Sequence, residues 1–151
     1  MIHRTKVAGR ILEVLQIEDN KADTALLKQV LKGAGFPVHL SSVENGEEAM
    51  SFLRQQAPYS QSPLPNVILL DLQLPRKDGL TVLTEIRREP EWARLPIIIF
   101  TSSESDLDKE WSGRLRADHF LVKPLELDHY GPLLKVLREY WLKSFRERPL
   151  A

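Results

Sequence analysis

Four short apolar runs, each followed directly by polar residues, constrain the fold of this chain more than any other feature. The runs cover residues 11–17, 67–70, 97–100 and 120–122, and they lead into Glu18-Asp19, Asp71, Thr101-Ser102-Ser103 and Lys123-Pro124. Near-continuous aliphatic and β-branched runs of this length are typical of parallel strands that are covered on both faces. A less regular segment, Val38–Val43, is predicted as a fifth strand.

The segments between these runs have the spacing of amphipathic helices. Apolar residues recur every three or four positions in 21–34, 46–56, 80–89, 105–116 and 126–141. Strands and helices therefore alternate, which predicts an α/β fold: a doubly wound, five-stranded parallel sheet with right-handed crossovers and helices on both faces. The proline-rich segment 57–66 is interpreted as a surface loop, because the strand that follows it needs neighbours to cover it.

The length of the chain limits the number of domains, and its charge limits the kinds of partner that it can bind. The 151 residues fit one domain, which we place at 8–143 with terminal tails at 1–7 and 144–151. Lysine plus arginine and aspartate plus glutamate both number 21, so no net field attracts nucleic acid or an anionic membrane. The sequence has no cysteine, no signal-peptide core and no apolar run long enough to span a bilayer. We therefore expect a soluble cytoplasmic protein that binds neither nucleic acid nor membranes.

The polar residues at the strand ends are expected to share one site. Ligand sites of doubly wound sheets lie outside the carboxyl ends of the strands, and the residues placed there are Glu18, Asp19, Asp71, Thr101 and Lys123. Two carboxylates about 5 Å apart repel by roughly 3 kcal/mol at an effective dielectric constant near 20, so the group needs a cation. Lys123 supplies one positive charge, and Mg²⁺ would offset more of the repulsion through oxygen ligands. Such a site can neutralise a phosphoryl group, with Asp71 as a nucleophile that forms an acyl phosphate.

These residues and their order resemble the receiver domain of two-component response regulators, from residue 11 to about residue 141. The motifs are the acidic pair in IEDN, then LLDLQLPRKDG, IIIFTSS and FLVKP, and their order and spacing together carry the resemblance. The resemblance implies a flavodoxin-like (CheY-like) sheet of order 2-1-3-4-5. It also implies that a sensor histidine kinase transfers a phosphoryl group to Asp71, after which the chain changes its interaction surface.

The same resemblance implies roles for individual residues. They are the magnesium ligands Glu18, Asp19, Asp71 and the backbone carbonyl of Gln73, the phosphoryl contacts Thr101 and Lys123, the switch residues Thr101 and Phe120, and a cis peptide bond between Lys123 and Pro124. A switch of this kind needs contacts that differ between two states, and contacts of Thr101 and Lys123 with the phosphoryl group would provide them.

Within this family, the chain is similar to the small stand-alone regulators that are paired with phytochromes of cyanobacteria and other bacteria. The similarity lies in the proline-containing loop before LLDLQLPRKDG, the TSS segment and the aromatic YWLKSF. It implies a phytochrome-type sensor kinase as partner and a homodimer with Tyr140 and Trp141 in its interface. Two departures from the family pattern, Gln16 in the first strand and the segment 113–119, lie outside the reactive residues.

Simpler interpretations of the individual residues stay open. Glu18 and Asp19 can cap the first helix, where carboxylates favour the positive end of the helix dipole. The others are turn positions for Asp71 and Thr101, a solvated charge for Lys123, a core position for Phe120, and a solvated helix face for the basic pair Arg87-Arg88.

Two other functions compete with the phosphoacceptor. A receiver-like interaction module that works without phosphate is disfavoured, because every reactive position is filled. An aspartyl-phosphate phosphohydrolase would carry a second aspartate two residues after the nucleophile, as general acid and base. Gln73 stands there, and an amide cannot transfer a proton at neutral pH. We therefore expect a signalling module rather than an enzyme.

Overall fold

Five parallel strands form one sheet in the computed structural model, which describes residues 10–146. The strands are β1 (Leu12–Ile17), β2 (Val38–Val43), β3 (Val67–Leu70), β4 (Ile97–Thr101) and β5 (His119–Val122). Their order across the sheet is β2-β1-β3-β4-β5, and every neighbouring pair is parallel. The predicted α/β class and the strand order 2-1-3-4-5 are confirmed.

An α-helix follows each strand, as the alternating pattern predicts. The helices are α1 (Lys21–Lys32), α2 (Gly46–Leu53), α3 (Gly79–Arg88), α4 (Asp106–Arg114) and α5 (Gly131–Arg146), with short 3-10 turns at Pro90–Trp92 and Leu127–His129. The first four helices begin at side-chain caps, in which Asn20, Asn45, Asp78 and Ser105 accept a hydrogen bond from the N–H three residues later. Within residues 10–146, no helix has the length and apolar character needed to cross a membrane.

Two apolar layers cover the two faces of the sheet. In β3, Ile68 and Leu70 pack with residues of α2 and α3, whereas Val67 and Leu69 pack with residues of α1 and α5. All four side chains are buried, and full burial of such a side chain contributes about 1.5–3 kcal/mol. The uninterrupted apolar run therefore reflects a strand with no solvent-facing side.

The buried, polar Gln16 within β1 has a hydrogen-bond partner on the neighbouring strand. Gln16 lies opposite Ser42 in the register of β1 and β2, and Ser42 Oγ donates a hydrogen bond to Gln16 Oε1 at 3.1 Å. A buried amide is costly unless it is hydrogen-bonded. The pairing across the two strands therefore explains how the sheet accepts this residue.

Arg87 is buried, so its interpretation as part of a solvated helix face is wrong. Its guanidinium donates hydrogen bonds to the carbonyl oxygens of Trp92, Leu95 and Arg116 and to the carboxylate of Asp118, at 2.7 to 3.1 Å. These partners lie just before β4 and β5. Arg87 therefore ties the end of α3 to the amino ends of both strands.

The expected cis peptide bond between Lys123 and Pro124 is wrong. Among the described residues, the cis bond is the one between Ala57 and Pro58. The trans isomer of an X–Pro bond is lower in free energy by about 0.5–1 kcal/mol. Lys123 reaches its ionic partners from the trans arrangement, so these contacts do not require the other isomer.

The predicted tail at 144–151 is wrong for its first three residues, because α5 continues to Arg146. The ring of Phe145 packs edge-on against Trp141, one turn earlier, with 5.1 Å between the ring centroids. The Arg10 guanidinium lies 5.8 Å from the centre of the Phe145 ring. The rest of this tail and the predicted tail at 1–7 lie outside the described residues.

Gly79, the first residue of α3, lies against the backbone that follows β3. Its N–H donates to the carbonyl oxygen of Leu72 at 2.9 Å. A Cβ atom on Gly79 would overlap the carbonyl oxygen of Asp71 and lie 2.5 Å from Leu72 Cα. Because backbone atoms cannot rotate away, this position accepts no side chain.

We expect Gly79→Ala to lower the free energy of unfolding by about 1–3 kcal/mol, as overpacking does. Urea denaturation measures the change. The matched control is Gly113→Ala in α4, where an added Cβ would meet nothing within 4 Å. Alanine favours a helix interior by about 1 kcal/mol over glycine, so the control should not lose stability. Equal stability of the two variants would contradict the close approach at Gly79.

Candidate functional site

Lys123 lies at the centre of a cluster of three carboxylates at the carboxyl ends of the strands. Its Nζ atom is 2.8 Å from Asp71 Oδ2 and 2.8 Å from Asp23 Oδ2, and it also contacts Glu18 Oε1. These partners come from three different segments: Glu18 follows β1, Asp71 follows β3, and Asp23 lies in the first turn of α1. The cluster thus joins distant parts of the sequence at one edge of the sheet.

Backbone hydrogen bonds place the central residues one position beyond the strands. The bonds run from the N–H groups of Glu18, Asp71 and Lys123 to the carbonyl oxygens of Val43, Ile17 and Thr101, at 2.9, 3.1 and 2.8 Å. Each bond extends the ladder between two neighbouring strands by one residue. The side chains of Glu18, Asp71 and Lys123 therefore leave the backbone at the same distance beyond the strands, at the same end of the sheet.

Burial shifts the acid–base behaviour of the cluster. Desolvation raises the pKa of Glu18 to about 7, with a further rise from the charge of Asp71, although Lys123 and the N–H of Asn20 oppose it. Burial alone would lower the pKa of Lys123, but hydrogen bonds to Asp23, Asp71 and Glu18 raise it above its usual range. The ammonium group therefore stays charged, while Glu18 gains a proton more readily than an ordinary glutamate.

Asp71 is buried and has a different partner for each of its two oxygens. Oδ2 accepts a hydrogen bond from Lys123, and Oδ1 accepts one from the N–H of Gln73 at 3.0 Å. The two donors fix the orientation of the carboxylate. Asp71 is thus a desolvated but oriented nucleophile candidate.

The side chains of Thr101 and Gln73 each form a hydrogen bond with a serine of the loop after β4. Thr101 is buried, and its Oγ1 accepts from the N–H of Ser103 at 3.3 Å. Ser102 Oγ donates to the side-chain oxygen of Gln73 at 2.9 Å, which links the loops after β3 and β4. The sequence analysis considered the backbone carbonyl of Gln73 as a metal ligand and its side chain only as a group that cannot transfer a proton, so it missed this link.

Asp19 lies outside the contacts of Lys123, although it belongs to the predicted acidic pair. Its side chain is exposed, whereas that of its neighbour Glu18 is buried. Phe120 is half-buried at the edge of the apolar layer formed with α2 and α3. Its role as a switch residue therefore stays a prediction.

The donor set fits a hard divalent cation. Glu18, Asp19, Asp71 and the backbone carbonyl of Gln73 offer oxygen atoms alone. The Lys123 ammonium contacts three carboxylates, those of Glu18, Asp23 and Asp71, so negative charge exceeds positive charge in the cluster. The carboxylates of Glu18, Asp19 and Asp71 do not come within 4.8 Å of one another as a group. Lys123 holds two of them in this arrangement, so a cation would share these two with the ammonium.

A second acidic group within the described residues contains none of the predicted site residues. Potential ligand atoms of Glu126, Asp128 and His129 are within 4.8 Å of one another, and all three residues are exposed. They lie at the short turn before α5. The sequence analysis assigned no chemistry to His129.

Asp23 is the residue of the cluster that sequence reasoning missed. Its N–H donates to Asn20 Oδ1 at 3.1 Å, so α1 starts almost directly after β1. An acidic residue in the first turn of such a helix stays close to the strand ends. The position of Asp23 in that first turn is the feature of the sequence that could have indicated its contact with the site.

Comparisons with known proteins agree with the fold. The family model described as "Response regulator receiver domain" matches residues 14–133. Response regulator Rcp1 of Synechocystis sp. is 38% identical over 131 residues, which cover 87% of this chain and 89% of that protein.

Two solved structures show the same likeness. The phosphorylated cyanobacterial phytochrome response regulator RcpA matches with a TM-score of 0.78 and 34% identity, covering 88% of this chain and 95% of that one. The Mn²⁺-bound form of response regulator Rcp1 matches with a TM-score of 0.73 and 37% identity, covering 93% of this chain and 97% of that one.

In metal-free buffer, we expect Glu18 to make the folded state less stable as the pH rises from 4.5 to about 7. The unfolded chain releases this proton near its ordinary pKa, whereas the folded chain still holds it, so folding is favoured below this range and loses that advantage through it. Urea denaturation of the wild type and Glu18→Gln at pH 5 and pH 7.5 measures the effect.

The wild type should be more stable relative to Glu18→Gln at the lower pH than at the higher pH. The exposed Glu104 provides the matched control, since Glu104→Gln should give the same stability difference from the wild type at both pH values. If Glu18→Gln behaved like this control, the raised pKa would be wrong.

Proposed function

The chain belongs to the response regulator receiver family and acts in a two-component phosphorelay, and from this premise we propose that Asp71 accepts the phosphoryl group. One observation carries the proposal: the buried carboxylate of Asp71 lies 2.8 Å from the Lys123 ammonium. A sensor kinase is the partner that this family implies. We propose that it is a histidine kinase of the phytochrome type, since two of the similar proteins are phytochrome response regulators.

The transfer step follows from the position of Asp71. One of its carboxylate oxygens would form a bond to phosphorus while the bond between phosphorus and the donor imidazole nitrogen breaks. The imidazole leaves with the electron pair of the broken bond. We propose that Lys123, which contacts Asp71, and Thr101 donate to the phosphoryl oxygens and so stabilise the charge that develops there.

Receiver domains bind a divalent metal ion, and Rcp1 has a structure in its Mn²⁺-bound form. We propose Mg²⁺ for this chain, held by Glu18, Asp19, Asp71 and the backbone carbonyl of Gln73. When bound, a divalent cation neutralises charge on phosphoryl oxygens. The oxygen-only donor set and the excess of carboxylates over ammonium support this choice.

A change of surface would follow from new contacts of Thr101. Its hydroxyl oxygen accepts a hydrogen bond from the N–H of Ser103, and a phosphoryl group on Asp71 would offer an acceptor for the proton of that hydroxyl. Movement of Thr101 would open space beside Phe120, which is half-buried on the next strand. We propose that these two residues form the switch.

Receiver domains are generally non-enzymatic signalling modules. We propose that this chain likewise turns over no separate substrate, because Gln73 stands where an aspartyl-phosphate hydrolase needs a proton-transferring carboxylate. We also propose that it works in the cytoplasm, without binding nucleic acid or membranes, as a receiver domain that starts at residue 8 and, with the corrected end of α5, extends to Arg146.

A homodimer stays a proposal, and so does the place of the half-buried Tyr140 and Trp141 in its interface. Trp141 stacks on Phe36 at 5.5 Å between ring centroids and donates to Arg10 O, and the Tyr140 hydroxyl lies 3.1 Å from His119 Nε2. Both rings therefore pack within the chain. The exposed apolar residues at the end of β5 and after it are further candidates, and they are Val122, Leu125 and Leu127.

Sedimentation tests the homodimer. If Leu125 lies in the interface, Leu125→Ser should shift the protein towards the monomer, because it removes apolar area from a side chain that is 99% exposed in the single chain. The control is Leu64→Ser, which alters another exposed leucine in the loop before β3. A wild type that sediments as a monomer at all concentrations would contradict the dimer.

We expect the wild type to gain one phosphoryl group from acetyl phosphate and Mg²⁺, and Asp71→Asn to gain none, because an amide cannot form the acyl phosphate. Intact-protein mass spectrometry reads the label directly. The matched control is Asp78→Asn: Asp78 caps α3 by accepting from the N–H of Thr81, and asparagine can do the same. Labelling that persists in Asp71→Asn would refute the assignment.

A further inference from the structure

Asp23 differs from the other two carboxylates on Lys123 in its exposure. The side chains of Glu18 and Asp71 are 1% and 4% exposed, whereas that of Asp23 is 33% exposed. Asp23 therefore forms the solvent-facing side of the cluster. The comparisons and the family resemblance assign it no role.

The backbone around Asp23 holds its carboxylate in place. The side chain of Asn20 accepts from the N–H of Asp23, which fixes the first turn of α1. The contact with Lys123 Nζ at 2.8 Å has the length of a strong charge-assisted hydrogen bond. Asp23 is thus a fixed acceptor for this ammonium group rather than a mobile surface charge.

A bound cation would compete with Lys123 for two of the three carboxylates. Glu18 and Asp71 are proposed ligands, so their oxygens would turn partly or fully to the cation. The side chain of Lys123 is 8% exposed, and a buried charge that loses its partners is costly. Asp23 is not a proposed ligand of the cation, so it would keep its contact with the Lys123 ammonium.

We propose that Asp23 is a positioning residue that retains Lys123 beside the site when Glu18 and Asp71 bind a divalent cation, an inference that rests on the proposed function. Asp23 compensates the ammonium charge without giving up an oxygen that the cation needs. Its negative charge would also attract both the ammonium and a nearby cation, which offsets the repulsion between those two positive charges. Removal of Asp23 therefore harms the cation-bound form more than the free form, in which Lys123 keeps two other partners.

Titration of the full chain with Mg²⁺ alone, followed by isothermal calorimetry, tests the proposal. We expect Asp23→Asn to weaken Mg²⁺ binding by about three- to tenfold. Asp23→Glu keeps the charge and should restore most of the affinity. The matched control is Asp106→Asn, which removes the same charge from an exposed position in the first turn of α4 and should change the affinity by less than about twofold.

A double-mutant cycle shows whether Asp23 acts through Lys123. In the Lys123→Gln background, we expect Asp23→Asn to weaken Mg²⁺ binding by less than about twofold, because the ammonium that it positions is gone. An equal loss in both backgrounds would overturn the proposal, since Asp23 would then act as an ordinary distant charge. Unchanged affinity in Asp23→Asn alone would overturn it as well.

The failure of this inference can be told apart from failure of the proposed function. If the wild type binds Mg²⁺ and is labelled on Asp71 while Asp23→Asn binds Mg²⁺ equally well, only the role of Asp23 is wrong. If the wild type neither binds Mg²⁺ nor becomes labelled, the proposed function fails, and the role of Asp23 fails with it.

Discussion

A buried ammonium group balances the charge at the functional edge of this sheet. Lys123 Nζ contacts carboxylates from three separate segments, which would otherwise repel one another in a site with little access to water. The balance is incomplete, because burial still raises the pKa of Glu18 to about 7. The remaining excess of negative charge is what suits the site to a divalent cation, and the retained ammonium is what suits it to a phosphoryl group.

The parallel sheet makes this cluster possible. The ladders between β2, β1 and β3 and between β4 and β5 each extend one residue past the strands, so Glu18, Asp71 and Lys123 leave the sheet at the same level. Gly79 then lets the start of α3 lie directly on the backbone after β3. Apolar layers on both faces hold the strands, and Glu18, Asp71 and Lys123 lie just beyond the carboxyl ends of the strands.

Much of the fold could be predicted from the sequence because its signals are local. Apolar runs and capping residues such as Asn20 mark the strands and helices without knowledge of distant contacts. The contact between Asp23 and Lys123 spans 100 positions, so no local pattern reveals it. Arg87 looked solvated because most of its partners are backbone carbonyls, which a sequence does not display. The isomer at Lys123–Pro124 was taken from the family resemblance, and the small energy difference between isomers gave no independent check.

The two ends of the sheet are held by different kinds of contact. At the amino ends of β4 and β5, one guanidinium joins α3 to both strands, and Asp118 adds a bond to the N–H of Ile97. At the opposite end, Lys123 joins three segments through their carboxylates, and a hydrogen bond from Ser102 to Gln73 connects the loops after β3 and β4. A phosphoryl group on Asp71 would change contacts at the carboxyl ends of the strands, whereas the bonds of Arg87 lie at the amino ends. A protein that distinguishes the two signalling states would therefore have to contact surfaces that respond to the carboxyl ends.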